Sequence, residues 1–302
     1  MATPAATAMP TAPDSDEAAQ MAIFRKLYPA EFLRRHLDEH VREDGRALDE
    51  ARAASLATGV LSHAEGSALV RLGRGTMVTA AVRARVCAPH YDRLDEGFLV
   101  PSIDLSPLCS PQHKVGPPGD EAQGMVHQLQ TFLNTSGLLP RVSLCLQRGV
   151  AVWALYVDIV CVSADGSVLD AAALAAVAAL RDTRLPVPVA VRDPKQCVFD
   201  AERTIPLTLT CTPVLSTWGI YEAAYLLADM TAFEQSLTAG NLCIGLVEES
   251  EKDDGVFYLR LTGTCAASHS TPLSNGELLE RCIELAKQRA NILRNLLEQP
   301  AQ

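Results

Sequence analysis

The stretch Val152-Trp153-Ala154-Leu155-Tyr156-Val157 constrains the fold most, because every position in it is apolar. Successive side chains of a strand point to opposite faces, so a run apolar on both belongs to a sheet covered on each side. A layered α/β architecture meets that demand. Upstream, Ser67 to Leu72, the turn Gly73-Arg74-Gly75 and Thr76 to Val86 read as a β-hairpin. Val78, Ala80, Val82, Ala84 and Val86 line one face in strict alternation, which puts Arg83 and Arg85 on the other.

Helical spacing flanks these strands. Ser15, Asp16 and Glu17 open a helix through Phe24, Leu27 and Tyr28; Pro29 starts a second with Phe32, Leu33 and Leu37 on one face, ending before Asp44-Gly45. After the hairpin, two Pro- and Asp-rich pieces, 89–104 and 107–119, read as irregular, followed by a helix over 120–134. Strands over 142–147 and 151–162 then lead through Asp165-Gly166 to a helix from Leu169 to Arg181. Beyond Pro186-Val187-Pro188 the pattern predicts strands near 207–212, 214–220, 223–228, 242–248 and 256–263. A closing helix runs from Ser274, with Glu277 completing a capping box, to about Gln299. Hairpin, strands and helix thus occur twice, which gives an α/β (α+β) class built on a duplicated β-α unit. Residues 16–185 form the first half and 186–302 the second, behind a tail over 1–15 too small and polar to order itself.

The net charge of −10 argues against a chain that grips nucleic acid through its own surface, since phosphate neutralisation calls for a basic one. Nine cysteines, an odd number without a C-x-x-C pair, read as buried reduced thiols of a nucleocytoplasmic protein rather than as metal ligands or a disulfide framework. The apolar run Ala171 to Leu180 is too short to span a bilayer, and no membrane partner is expected. There is no P-loop, and Gly73-x-Gly75 lacks the third glycine of a dinucleotide site. Ser67 lacks the second glycine of a nucleophile elbow, because Leu69 stands there. His36 and His40 are four apart, yet Leu37 replaces the glutamate of a zinc-protease motif, so the pair reads as a solvated helix face. No cofactor and no metal site is expected.

Three stretches carry a resemblance. Arg42-Glu43-Asp44-Gly45-Arg46, Arg52 and the run Gly66-Ser67-Ala68-Leu69-Val70-Arg71-Leu72-Gly73-x-Gly75-Thr76 come first. Val100 to Ser110 with Gly116-Pro117-Pro118-Gly119-Asp120-Glu121-Ala122-Gln123 come second, and Trp153 to Ala171 third. Together they resemble the RNase PH family, and the middle stretch is similar to one ring subunit of the eukaryotic RNA exosome. The resemblance implies an RNase PH-like fold in a ring of six such subunits. Its expected partners are the other ring subunits, OB-type and KH-type cap subunits, and RNA threaded toward a separate 3′-to-5′ nuclease. RNA processing, ribosomal RNA maturation and decay in the nucleus, nucleolus and cytoplasm are the implied setting.

Active members of that family carry out phosphorolysis, which needs arginines to hold phosphate and RNA, and carboxylates at the leaving oxygen. The resemblance puts the first of two carboxylates, six residues apart, at Asp229; the second position holds Gln235, an amide that exchanges no proton near neutral pH. Glu234 is the neighbouring acid. The helix that carries RNA-contacting arginines in archaeal relatives here shows Thr131 and Asn134, with no Arg or Lys from Glu121 to Asn134. A non-catalytic ring subunit with a degenerate site is therefore expected; an active phosphate-dependent exoribonuclease is the alternative. Arg71, Arg74, Arg83 and Arg85 are the candidates for RNA contact, set against a plain solvated strand face.

Overall fold

The computed structural model describes residues 15–298, apart from 115, 192, 195, 223–224, 251–252 and 264–274. It divides into two units, residues 1–48 and residues 49–302. Of the sequence expectations, the tail over residues 1–15 lies outside what is described except for Ser15, which is helical, and the cap Ser274 and the side chain of Glu277 also lie outside it.

In the first unit, α1 (Ser15–Leu27) is followed by α2 (Pro29–Asp38), with Pro29 in its first turn, where no intrahelical N–H is needed. Phe32, Leu33 and Leu37 are buried, and the Phe24 and Phe32 rings meet edge-on at 6.2 Å. The Arg42-to-Arg46 motif closes on itself: Gly45 N donates to Arg42 O at 2.9 Å, and Arg46 Nε donates to Asp44 Oδ2 at 2.6 Å. His40 lies beyond the end of α2 with φ 56°, so it does not share a helical face with His36.

In the second unit, β1 (Ala54–Thr58), β2 (Gly66–Leu72), β3 (Thr76–Cys87), β4 (Phe98–Leu105), β5 (Cys145–Gln147) and β6 (Ala151–Ser163) form one sheet in the order β1-β2-β3-β6-β4, with β5 beside β6. Between β4 and β5 run α3 (Asp120–Thr135) and a 3₁₀ turn, Arg141–Leu144, which replaces the first half of the strand expected over 142–147. The helix α4 (Val168–Asp182) is followed by a two-stranded ribbon, β7 (Arg184–Val191) with β8 (Cys197–Pro206). Then come β9 (Val214–Tyr221), β10 (Tyr225–Ala228), α5 (Ala232–Leu237), β11 (Gly240–Ser250), β12 (Asp253–Gly263) and α6 (Asn275–Glu298). Their strands make a second sheet, β10-β9-β11-β12.

The core explains the composition. Every residue of α4 from Val168 to Leu180 is buried, because the helix packs against β2 and β3 on one side and β9 on the other. Alanine suits that place: seven of them let two sheets approach one helix closely. Gly66 is needed for the same reason, since a Cβ there would sit 2.5 Å from Ala179 O. The other face of the second sheet packs against α6, through Cys282, Ala286, Ala290, Leu293 and Leu297. Residues 151–155 of β6 are buried on both faces, as the all-apolar run requires.

Three further expectations are corrected. Residues 98–104 form β4, although the segment reads as irregular; Leu99, Pro101 and Ile103 are buried in alternation. Pro101 is tolerated because β4 lies at the sheet edge, where a missing N–H costs no ladder bond. Residues 207–212 are not a strand; the strand precedes them as β8, paired with β7 across register shifts at Pro186/Val187 and Pro188/Ala190. Residues 232–237, left unassigned by periodicity, form α5.

Candidate functional site

Two tight turns meet beside the N-terminus of α4. One carries β6 through Ala164-Asp165-Gly166 into the helix, with Ser167 at φ 47°. The other leaves β10 through Asp229, at φ 45°, and Met230 into α5. They interlock: Ser167 Oγ donates to Met230 O at 3.2 Å, and Ala232 N donates to Asp165 Oδ1 at 3.3 Å. Gly166, at φ 74°, is the residue that permits this approach, because a Cβ would lie 2.2 Å from Met230 O. Over the junction opens a cleft of about 350 Å³. Its walls are Ser110, Gln112 and His113 from the loop after β4, Glu121, Met125 and Gln128 from α3, Gln235 and Ser236 from α5, and Asn241 and Thr262 from the second sheet.

Beneath the cleft, and outside its lining, lies a buried charge cluster. The Arg52 backbone N and Nε both donate to Asp229 Oδ2 at 2.9 Å, and its Nη2 donates to Oδ1 at 2.7 Å. Arg52 Nη1 donates to Asp165 O at 2.8 Å, so one guanidinium ties both turns together. Arg289 Nη2 from α6 lies 3.8 Å from Asp229 Oδ2. Burial alone raises the Asp229 pKa, but the Arg52 hydrogen bonds and the charges of Arg289 and Arg52 outweigh it and hold the group at about 2. Asp170, on the first turn of α4, accepts from Thr217 N at 2.8 Å and from Thr217 Oγ1 at 2.5 Å. There burial wins: against the Thr217 hydrogen bonds and the Arg289 charge, desolvation lifts its pKa to about 6.

The sequence-predicted residues separate into different places. Gln235 is exposed and faces the cleft. Glu234, one residue before it, is buried and spent on a capping box: its Oε2 accepts from Thr231 N at 2.8 Å while Thr231 Oγ1 accepts from Glu234 N at 3.4 Å. Thr131 and Asn134 lie outside the lining; Thr131 Oγ1 donates to His127 O, and Asn134 Oδ1 accepts from Arg141 Nη2. The four arginines do not form one patch. Arg71 pairs across the hairpin with Met77, which is six residues along β3 and roughly 20 Å from Arg83, and Arg74 is at the hairpin tip, farther still from Arg83. Arg83 Nε donates to Asp158 Oδ2 at 2.6 Å, whose other oxygen accepts from Ser102, so that cation is already paired.

Arg52, Asp170 and Arg289 are the residues that sequence reasoning gave no role. A carboxylate directly after the apolar strand end Leu227-Ala228 is the signal that could have called for a buried cation. Among the described residues, the cleft lining contains no Arg or Lys, and no group of three or more His, Cys, Asp and Glu could hold a metal ion.

Residues 50–186 match the RNase PH family, described as 3′ exoribonuclease family, domain 1. The chain is 35% identical over 268 residues to the Exosome complex component rrp43 of Schizosaccharomyces pombe, covering 89% of this chain and 94% of that one. It is 30% identical over 257 residues to the Exosome complex component Rrp42 of Methanocella arvoryzae, covering 85% and 90%. Among solved structures it superposes on a chain of an Archaeoglobus fulgidus exosome with RNA bound to the active site, with a TM-score of 0.75 at 28% identity over 92% of this chain and 98% of that one. An archaeal exosome core gives a TM-score of 0.73 at 26% identity, over 94% and 100%. The chain therefore belongs to the RNase PH family, among its exosome complex components.

Proposed function

We propose that this chain is a structural subunit of an exosome core ring that cleaves no RNA itself and helps pass RNA to a separate nuclease. The observation that carries the proposal is the fate of the charges. Asp229, the acid that the family resemblance singles out, is locked under the cleft by Arg52 and Arg289. The cleft above it offers mainly amides and hydroxyls, with His113 and Glu121 beside them. Phosphorolysis needs cations that hold phosphate and the developing charge of the transition state. Among the described residues the lining has no Arg or Lys to supply them. The names of the relatives support ring membership with other RNase PH-like subunits; cap subunits of OB and KH type, ribosomal RNA processing, and residence in nucleus, nucleolus and cytoplasm belong to the same proposal.

The test has two arms. Purified chain incubated with single-stranded RNA and inorganic phosphate is expected to release no nucleoside diphosphate, and Gln235→Glu is expected to restore none. Mixed with other RNase PH-like ring chains, it is expected to enter a stoichiometric complex. Phosphate-dependent release by the wild-type chain refutes the non-catalytic half, and persistence as a monomer in the mixture refutes the assembly half.

A further inference from the structure

Strand β4 ends at Leu105, in parallel register with Cys161 of β6. The turn that follows, closed by Cys109 N donating to Ser106 O at 3.0 Å, brings the chain back to the same sheet end, where Cys109 O accepts from Ala164 N at 3.2 Å. This return sets two thiols against each other. The Cys109 and Cys161 side chains adjoin closely enough for each to perturb the other, with Cys109 8% exposed and Cys161 fully buried. Cys109 Sγ also lies 2.9 Å from Ser106 O, and Cys161 Sγ lies 3.4 Å from Ser163 O. The loop then continues directly into Ser110, Gln112 and His113 at the cleft wall. Contact of this kind is not general in the sheet. Cys87 and Cys145 flank Val152 on neighbouring strands, two strand spacings or about 10 Å apart, beyond the reach of a disulfide.

We propose that Cys109 and Cys161 form an oxidisable dithiol, which a peroxide converts to a disulfide that fastens the cleft-wall loop to strand β6. Cys109, the more exposed sulfur, reacts first. Its thiolate attacks one peroxide oxygen; the S–O bond forms, the O–O bond breaks, and hydroxide leaves to take up the thiol proton as water. The Cys161 sulfur then attacks the Cys109 sulfenic sulfur. An S–S bond forms, the S–O bond breaks, and the departing hydroxide takes the Cys161 proton as a second water. Two thiols and one hydrogen peroxide thus give one disulfide and two waters. Burial raises both thiol pKa values, that of Cys161 to about 12, so both stay neutral and the reaction is slow near neutral pH and faster as pH rises.

The test uses the full chain, fully reduced and then treated with hydrogen peroxide at pH 7 and pH 9. Free thiols are alkylated, and peptides are mapped without reduction. The expected product is a Cys109–Cys161 cross-linked peptide that forms faster at pH 9, disappears on adding dithiothreitol, is absent in Cys109→Ser and persists in Cys87→Ser. Tryptic cleavage after Lys114 in the same loop is expected to slow on oxidation. Cys109 stopping at the sulfenic or sulfinic acid, or cross-links between other cysteines in its place, overturns the pairing. An unchanged rate of cleavage after Lys114 overturns the fastening. Should Cys109→Ser fail to fold, the wild-type peptide map decides the pairing alone.

Discussion

Replacing Asp229 by asparagine separates a structural acid from a catalytic one. Asparagine matches aspartate in shape and tolerates the left-handed backbone at φ 45°, so the change removes charge with little conformational cost. Two cations lose their counter-ion: the Arg52 side chain is 7% exposed and that of Arg289 10%. The drop of the Asp229 pKa from 3.8 to about 2 corresponds to about 2 kcal/mol of preference for the charged form. Its side chain is 1% exposed, so solvent screening subtracts little. Arg52 keeps Asp165 Oδ2 at 3.8 Å, but taking the nearest carboxylate from two buried guanidinium groups costs more, about 3–5 kcal/mol by analogy with broken buried pairs. The assay is urea unfolding of both chains from pH 2 to 7. A group whose folded pKa is depressed stabilises above its unfolded value and loses that contribution as pH falls through the folded one. Wild-type stability should therefore fall between pH 4 and pH 2 by about 2 kcal/mol more than that of Asp229→Asn. A cost below about 1 kcal/mol at pH 7, the size of an ordinary hydrogen bond, would refute the structural role.

Asp170 has the opposite sign. Its folded pKa of about 6 lies above the ordinary 3.8, so the native state keeps a proton that the unfolded chain releases, and stability falls as pH rises from 4 to 6 by about 2 kcal/mol. Asp170→Asn should flatten that slope in the same unfolding series, and an unaltered slope would assign the titration to another group. Gly166→Ala should cost about 3 kcal/mol or more in thermal or urea unfolding, because it joins a positive φ to a Cβ 2.2 Å from backbone that cannot move aside; a cost under about 1 kcal/mol would mean the two turns are not held together as described.

The sequence made the layers legible because their signals are local. The alternation from Val78 to Val82 and the all-apolar run after Val152 each report burial within a few residues, and the structure buries them as read. Proline concealed the rest. Leu99, Pro101 and Ile103 alternate as a strand should, but Pro101 argues against a strand unless the strand is known to be an edge, and edge position is a property of the assembled sheet. The site was hidden for a related reason. Arg52 and Asp229 are 177 residues apart, and nothing in either neighbourhood names the other. Only the folded chain brings the turn after β6 and the turn after β10 within reach of one guanidinium.

That geometry also accounts for why one acid stands at Asp229 while an amide stands at Gln235, without appeal to catalysis. Gln235 is exposed on α5, where exchange of amide and carboxylate changes stability by only about half a kcal/mol. Asp229 is 2% exposed and accepts three hydrogen bonds from one arginine, so any neutral replacement strands buried charge. A chain freed from phosphorolysis could lose the exposed acid at almost no cost and would still hold the buried one. In this chain Asp229 therefore has a structural reason to be an aspartate that is independent of any phosphorolysis.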